Sequence, residues 1–319
     1  QTARVEKRSI MLIASACDEK FAPHFATMLH SAWHHNRGAS FLLLDCGLAG
    51  ETREVLKRFA ADLGTRLDIK KVDLTRFEHA ATGLDWPVIV FARLLLPDML
   101  SCRKVLYLDS DCVVTADLTR FWETDLGSSF VAGVSDQNAI DFESGLEPKI
   151  PLPRSYVNCG VMLMNLDAWR EHDISSQVVT YVETYRPKFG EQTGINAVTG
   201  DRKLMLPDRW NFMVHVWSMR SPADFDPSIV HCTGHRKPWL HANACFAPVY
   251  LAHRNATRFK LASPTAIYPG RLKVFLNLLV FRPKYRKLRK AKQYYDMTFS
   301  PITGSTQGMK FRMKPAPKA

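Results

Sequence analysis

Short apolar runs alternate along the chain with segments in which apolar residues recur every three or four positions. The runs are typical of buried strands and lie at 9–16, 41–44, 104–108, 112–115, 130–134 and 158–166, and a further strand is predicted at 67–72. The intervening segments predict helices at 22–35, 51–62, 91–100 and over most of 174–199. Because strands that are apolar throughout are covered on both faces, this alternation predicts an α/β fold with a parallel central sheet.

The pattern also predicts where elements and domains end. Asp167 follows the last strand-like run, and its side chain can accept a backbone N–H as the N-cap of the next helix. The stretch 207–240 is rich in Pro, Trp, His and Asp, which is typical of functional loops on a scaffold. We expect one folded domain over 1–265 and a separate tail over 266–319, of which about the last 20 residues are flexible.

The tail carries the whole excess of positive charge. Residues 271–319 hold 13 of the 43 basic residues and one acid, so that 30 basic and 30 acidic residues remain in 1–270. Apolar residues at helical spacing, beginning at Leu272, precede the segment 282–290, which has six basic residues. This combination predicts an anchor on an anionic membrane surface over 271–292. The alternative is a helix packed on the body with a solvated basic end.

Composition excludes several classes of protein. The 319 residues are 46% hydrophobic and 23% charged, which is typical of a globular chain, and no apolar run approaches the ~18 residues of a membrane span. No leader peptide is visible, and the seven cysteines form no CxxC pair, which favours a reducing compartment. The neutral body argues against a nucleic-acid partner. We therefore expect a cytoplasmic protein, peripheral on the inner face of the cytoplasmic membrane.

Two carboxylates two positions apart follow one of the buried strands. Asp109 and Asp111 flank Ser110 directly after the run 104–108. In an extended chain, residues i and i+2 point to the same side, so both carboxylates can reach one cation. Oxygen ligands of this kind suit Mn²⁺ or Mg²⁺ rather than zinc. An ordinary turn with solvated aspartates is the alternative.

A second group of chemically capable residues follows the apolar residues 228–230. His231 can complete a metal site, Gly234 permits close approach of the backbone to a phosphate, and Lys237 can neutralise a leaving diphosphate. Three functions remain open on these residues. They are a glycosyltransferase that uses a nucleotide-sugar, a phosphatase with an aspartyl nucleophile, and a basic-tailed membrane-binding protein without activity.

The sequence resembles the family 8 glycosyltransferases, especially the bacterial enzymes that extend lipopolysaccharide or lipooligosaccharide cores. The resemblance runs from about residue 10 to Trp239. Five blocks carry it: ASACDEKFAPH, VFARLLLPD, KVLYLDSDCVV, YVNCGVMLMNLDAWR and HCTGHRKPW. It implies a GT-A fold, which is Rossmann-like with a mixed central sheet, and transfer with retention of a hexose from UDP-galactose or UDP-glucose to a glycan or glycolipid acceptor.

The resemblance also implies roles for individual residues. It makes Asp109, Asp111 and His231 the ligands of Mn²⁺. It assigns donor binding to a larger set, namely Ala16, Asp18, Arg93, Asp109, Ser110, Asn158, Gly234 and Lys237. The candidate catalytic residues are Gln192, which matches the residue beneath the anomeric carbon, together with Glu191 and Asp136.

The chain departs from the family pattern at a few of these positions. The family often has Asp-Gln-Asp where this chain has Glu191, Gln192 and Thr193, and it commonly has Asn at the position of Lys20. Thr193 removes a carboxylate that could serve as a covalent nucleophile, and the amide of Gln192 is a poor one. We therefore expect the acceptor to attack on the face from which UDP departs.

The tail gives the first testable prediction. Deletion of 271–319 should release the protein from vesicles that contain anionic lipid, because the basic segment and the apolar helix are removed together. Hydrolysis of the donor should be retained. Co-sedimentation with anionic and with neutral vesicles measures the binding, and undiminished binding of the truncated protein to anionic vesicles would contradict the anchor.

Overall fold

The computed structural model describes residues 10–81, 87–214, 226–234, 237–242, 244, 246–260 and 263–264. Its strands are β1 (Leu12–Cys17), β2 (Ser40–Asp45), β3 (Leu67–Lys71), β4 (Lys104–Leu108), β5 (Cys112–Val114), β6 (Val131–Ser135), β7 (Val157–Asn165), β8 (Lys203–Leu206), β9 (Phe212–Met213) and β10 (Ile229–His231). The tail, and with it the predicted membrane anchor over 271–292, lies outside the described residues.

The helices cover both faces of the sheet. They are α1 (Ala22–His35), α2 (Gly50–Asp62), α3 (Glu78–Ala81), α4 (Leu96–Met99), α5 (Thr119–Trp122), α6 (Gln137–Ser144), α7 (Leu166–Glu171), α8 (Ile174–Tyr185), α9 (Gly190–Thr199) and α10 (Ala247–Asn255). Short 3₁₀ turns lie at Thr75–Phe77, Val88–Leu95 and Asp208–Trp210.

The main sheet has seven strands in the order β3-β2-β1-β4-β7-β6-β8. The first four strands are parallel to one another, and β7 runs antiparallel to both β4 and β6. The prediction of a parallel sheet is therefore correct for β3, β2, β1 and β4 but wrong at β7, and the mixed sheet implied by the family resemblance is confirmed. An α/β pattern does not show the direction of β7, because strands buried on both faces have the same apolar composition in either direction.

Both faces of the main sheet are buried, as the apolar strands predict. Neighbouring residues of β1 belong to the apolar clusters on opposite faces of the sheet. Ile13 belongs to the cluster that contains Phe25 of α1 and Phe59 of α2, whereas Ala14 belongs to the cluster that contains Phe91 and apolar residues of α8. Burying apolar side chains on each face stabilises the layers by about 1.5–3 kcal/mol for each large residue. The sheet is thus a rigid support for the loops at its edge.

Local details differ from the sequence predictions in two places. The side chain of Asn165, not Asp167, accepts a hydrogen bond from the backbone N–H of Ala168 and caps α7, so the predicted cap is wrong by two positions. The helix expected over 174–199 is divided, because Arg186 adopts a left-handed conformation (φ 47°) and ends α8.

A second, small sheet brings distant parts of the chain together. After β4, the chain leaves the main sheet, and β5 pairs with β10 in the antiparallel direction, with Cys112 opposite His231. β9 completes this sheet. The pairing is what carries His231 to the turn between β4 and β5. Among the described helices, none is long and apolar enough to cross a membrane.

Candidate active site

Two carboxylates and one imidazole converge at the turn between β4 and β5. Nε2 of His231 lies 3.7 Å from a carboxylate oxygen of Asp109 and 3.2 Å from one of Asp111. The backbone of Asp109 donates to the carbonyl of Gly160 in β7, at 2.7 Å, which holds the turn against the main sheet. The pairing of His231 with Cys112 therefore brings the Nε2 atom of His231 together with the carboxylate oxygens of Asp109 and Asp111.

A chain of hydrogen bonds orients the imidazole. The carboxylate of Asp136 can only accept, so Asn158 donates its amide N–H to it at 3.0 Å. The amide oxygen of Asn158 then accepts from Asn211 at 3.0 Å, and the amide oxygen of Asn211 faces Nδ1 of His231 at 3.1 Å. Nδ1 is therefore the protonated nitrogen, and the lone pair of Nε2 points at the two aspartates. Such orientation by a remote carboxylate is typical of metal-binding histidines.

The residues present fit a divalent cation with oxygen and nitrogen ligands. The absence of a side chain at Gly160 lets Asp109 and His231 pack directly against β7, since a Cβ at this position would lie 2.5 Å from Oδ2 of Asp109 and would clash with Cε1 of His231. Cys112 is also close to Asp111 and His231. Burial raises the pKa of its thiol well above the ordinary value, so the thiol stays protonated. Because Mn²⁺ and Mg²⁺ prefer oxygen ligands to sulfur, Asp109 is the better third ligand.

Lys237 provides a positive charge on the other side of Asp111. Its Nζ donates to a carboxylate oxygen of Asp111 at 2.6 Å and to the carbonyl of Cys232 at 2.6 Å. Burial alone would raise the pKa of Asp111, but the ammonium group of Lys237 holds it well below its usual range. Gly234, with φ 77°, lies in the loop between β10 and Lys237. An ammonium group is therefore already placed beside the candidate ligands.

An aromatic contact fixes the loop that carries Lys237. The indole of Trp239 stacks on the imidazole of His24 in α1, with 3.8 Å between ring centroids. Nδ1 of His24 is 2.6 Å from the hydroxyl of Tyr250 in α10. Burial lowers the pKa of His24 to about 4, so this ring is neutral near neutral pH. The loop thus rests against a wall made by α1 and α10.

Arg93 connects Asp109 to Glu191. Its side chain is buried, and one guanidinium nitrogen lies 3.1 Å from Asp109 and 3.6 Å from Glu191. It also donates to the carbonyl of Cys159. Burial raises the pKa of Glu191 to about 7, although Arg93 opposes this shift. Burial by itself would lower the pKa of Arg93, but Asp109 and other neighbours raise it above the ordinary value, so the guanidinium stays charged.

The side-chain amide of Gln192 contacts β7 and Asp136. Its amide oxygen accepts from the backbone N–H of Cys159 at 3.0 Å, and its amide nitrogen lies 3.4 Å from Asp136 and 3.5 Å from the hydroxyl of Tyr156. The side chain is partly exposed, unlike those of Glu191 and Asp136, which are buried. The amide is therefore oriented by the backbone of β7 and by one carboxylate.

Thr193 has a definite place in the same network. Its hydroxyl donates to the buried carboxylate of Glu143 at 2.8 Å and accepts from the hydroxyl of Tyr156 at 2.8 Å. Glu143 also accepts from the backbone N–H of Phe189, at 2.7 Å, just before α9. The residue that replaces a carboxylate of the family pattern is therefore hydrogen-bonded to another carboxylate, on α6.

The remaining candidate donor-binding residues follow β1. The hydroxyl of Ser110 donates to the carbonyl of Ala16 at 2.8 Å, which joins the carboxyl ends of β1 and β4. The carboxylate of Asp18 accepts from the backbone N–H of Phe21 at 2.9 Å, ahead of α1, and Lys20 is exposed. In a doubly wound sheet, ligands bind outside this edge.

Four residues of the network were not found by sequence reasoning: Gly160, Asn211, Glu143 and Tyr156. Gly160 and Tyr156 lie in or beside the apolar β7 run, and Asn211 lies in a loop-rich stretch. Their importance comes from contacts with distant residues, such as that of Asn211 with both Asn158 and His231. No local pattern in the sequence signals such contacts.

The fold is a mixed α/β fold of the GT-A type. The model of the family described as "Glycosyl transferase family 8" matches residues 12–243. The chain belongs to this family, as its sequence motifs predict. Members of the family depend on nucleotide-sugars, typically with a divalent metal.

Relatives and solved structures agree with this assignment. General stress protein A of Bacillus subtilis (strain 168) is 24% identical over 257 residues, which cover 74% of this chain and 89% of that protein. Glycosyltransferase GlyF of Streptococcus pneumoniae serotype 4 is 27% identical, but the match covers 73% of this chain and 57% of GlyF. The crystal structure of the galactosyltransferase LgtC with donor and acceptor sugar analogs is similar with a TM-score of 0.69 at 25% identity, over 78% of this chain and 97% of LgtC.

Gly160 provides a test of the close packing at the site. Gly160→Ala should weaken binding of Mn²⁺ by at least about tenfold, because the added methyl group would overlap Asp109 and His231 and force both side chains to move. Titration with Mn²⁺ followed by electron paramagnetic resonance measures the affinity. Gly38→Ala is the matched control, since a Cβ there meets no atom within 4 Å. Equal affinity of the two variants would contradict the proposed site.

Glu191 gives a prediction about pH. Because its pKa is raised from 4.5 to about 7 on folding, the folded state holds this proton more tightly than the unfolded state. Its contribution to the free energy of unfolding is therefore largest below about pH 4.5 and is lost as the pH rises through about 7. Glu191→Gln removes this dependence, so its stability relative to the wild type should rise by on the order of 1–3 kcal/mol from about pH 5 to 8. Urea denaturation in the presence of a chelator measures the free energy of unfolding of both proteins at each pH. The same pH dependence in the wild type and in Glu191→Gln would contradict the prediction.

Proposed function

We propose that this protein is a retaining hexosyltransferase that moves galactose or glucose from UDP-galactose or UDP-glucose to a glycan acceptor of the lipopolysaccharide core type. Asp109, Asp111 and His231 hold Mn²⁺, or Mg²⁺, in this proposal. One observation carries it: the neighbouring carboxylates of Asp109 and Asp111 meet the imidazole of His231, which is distant in sequence, beside Lys237 in a chain of glycosyl transferase family 8.

The charges at the site suit the departure of a diphosphate. When bound, the divalent ion supplies a Lewis acid that neutralises the negative charge developing on UDP. Lys237 adds a second positive centre, and its ion pair with Asp111 keeps it in place before the donor arrives. Gly234 presents backbone without a side chain in the same loop. Asn158 and Asp136 hold the donor sugar, and Ala16 and Asp18 hold the nucleoside.

The reaction exchanges one bond at the anomeric carbon for another. The bond from this carbon to a phosphate oxygen breaks, and a bond to the acceptor hydroxyl oxygen forms on the same face. The hydroxyl proton passes to the departing phosphate oxygen. Gln192 steadies the positive charge that develops on the sugar, while Arg93 keeps Asp109 and Glu191 in position. The engagement of Glu191 with Arg93 supports attack without a covalent intermediate.

The two other functions suggested by the sequence are less well supported. A phosphatase would use an aspartate as a nucleophile, but Asp109 is held by Arg93 and faces His231. A binding protein without activity would not need the oriented imidazole of His231. Membership of family 8 favours glycosyl transfer over both. The peripheral location on the cytoplasmic membrane remains part of the proposal and rests on the sequence of 271–292.

The test is the release of UDP from a panel of UDP-sugars, with and without Mn²⁺. Asp109→Asn and His231→Ala should each lower turnover by about 10²–10³-fold, because each removes a ligand of the ion that stabilises the leaving group. Asp98→Asn is the matched control, since Asp98 is an exposed aspartate paired with Arg76 at 3.6 Å. Activity near the wild-type level in either site variant would contradict the proposal.

The same samples test the stereochemical part. The intact mass of the protein should not change when it is incubated with donor alone. An added hexose on Glu191 would contradict attack on the same face and would leave the metal assignment untouched.

A further inference from the structure

Four histidines lie together where α1 and α10 meet. His30, His34 and His35 belong to α1, and His253 belongs to α10. His30 lies about 9 Å along the helix from His24, the residue that contacts the candidate active site. The cluster is therefore separate from Asp109, Asp111 and His231, and nothing in the proposed function requires it.

The spacing within the cluster is close to that of imidazoles on one metal ion. Around a tetrahedral zinc ion with Zn–N bonds of about 2.0–2.1 Å, two ligand nitrogens lie about 3.4 Å apart and two ring centroids about 5 Å apart. Nδ1 of His30 and Nδ1 of His253 are 2.9 Å apart, and their ring centroids are 5.2 Å apart. This pair needs little rearrangement to share an ion.

His34 can supply the third ligand. It lies four positions after His30, on the same face of α1, which is the helical spacing that lets two histidines bind one ion. Its ring centroid is 5.8 Å from that of His253 and 6.3 Å from that of His30, so the ring must approach by about 1 Å. Because the side chain is exposed, a rotation about its own torsions can do this without moving either helix.

The chemistry of the cluster also suits a transition metal. Burial lowers the pKa of His253 to about 4, and burial lowers those of His30 and His35 as well, so the rings are neutral near neutral pH. Neutral imidazole is the form that binds zinc, nickel or copper. A change of tautomer from Nδ1–H to Nε2–H in one ring frees both facing nitrogens, so no proton has to leave.

We propose that His30, His34 and His253 form a second metal site, for a divalent transition metal of the zinc type, and that the ion fastens α10 to α1. Tyr250 of α10 and His24 of α1 contact each other at the candidate active site. An ion at the cluster therefore strengthens the wall on which Trp239 stacks. The site is open to solvent through His34, which gives an ion a path of entry.

The test counts Zn²⁺ bound to the full-length chain without an affinity tag. In equilibrium dialysis, the wild type should bind one more Zn²⁺ ion per chain than His253→Ala. Addition of Zn²⁺ should also raise the melting temperature of the wild type by more than it raises that of His253→Ala. The candidate active site is intact in both proteins, so any Zn²⁺ bound there cancels in the comparison. Mg²⁺, which prefers oxygen ligands, should produce no such difference.

Further variants separate the three ligands from their surroundings. His34→Ala changes an exposed side chain and should weaken the additional site by at least about tenfold, even if His253→Ala loosens the contact between the helices. His35→Ala, in the cluster, and His79→Ala, at an exposed residue of α3, should leave the affinity of the additional site unchanged. Equal Zn²⁺ binding by wild type, His253→Ala and His34→Ala would overturn the proposal, and so would a loss in His79→Ala equal to that in His253→Ala.

Discussion

The candidate site is organised by the need to hold several carboxylates close together in a partly buried place. Asp109 and Asp111 would repel one another, and each is compensated by a cation: Arg93 lies 3.1 Å from Asp109, and Lys237 lies 2.6 Å from Asp111. Removing one partner from such a set leaves a buried charge without compensation, which costs about 3–5 kcal/mol. The arrangement therefore fixes the side chains before any substrate binds.

The backbone makes this arrangement possible through one change of sheet. After β4 the chain leaves the main sheet, and β5 belongs to the small sheet. There β5 pairs with β10, and this pairing brings Asp111 next to His231. The same change opens the edge at which Ala16 and Ser110 meet, and it carries the loop of Lys237 to the wall formed by α1 and α10. The main sheet is the rigid support of the site, and the small sheet brings His231 to the two aspartates.

Most strands, the aspartate pair and the histidine loop could be predicted from the sequence, because each has a local signal such as an apolar run, a spacing of two residues or an adjacent Gly and Lys. The direction of β7 has no local signal, nor does the choice of Asn165 over Asp167 as a helix cap. The links of Asn211 to Asn158 and His231 join residues 53 and 20 positions apart, and they follow from tertiary structure alone. Local sequence specifies which groups are available, and topology decides which of them meet.

The departure at Thr193 shows how such a network can absorb a substitution. The hydroxyl of Thr193 donates a hydrogen bond to Glu143, so a carboxylate is still present next to this position. The carboxylate of Glu143 is buried, and it also accepts a hydrogen bond from the backbone N–H of Phe189. Asp136 is likewise occupied, by Asn158 and the backbone N–H of Ala139. A nucleophile needs an oxygen that faces the sugar, whereas Asp136 uses both of its oxygens to bind Asn158 and the first turn of α6, and Glu143 directs one oxygen to Thr193 and Phe189. This distribution of hydrogen bonds supports a role for them in positioning Gln192 and the donor sugar, with the acceptor itself as the nucleophile.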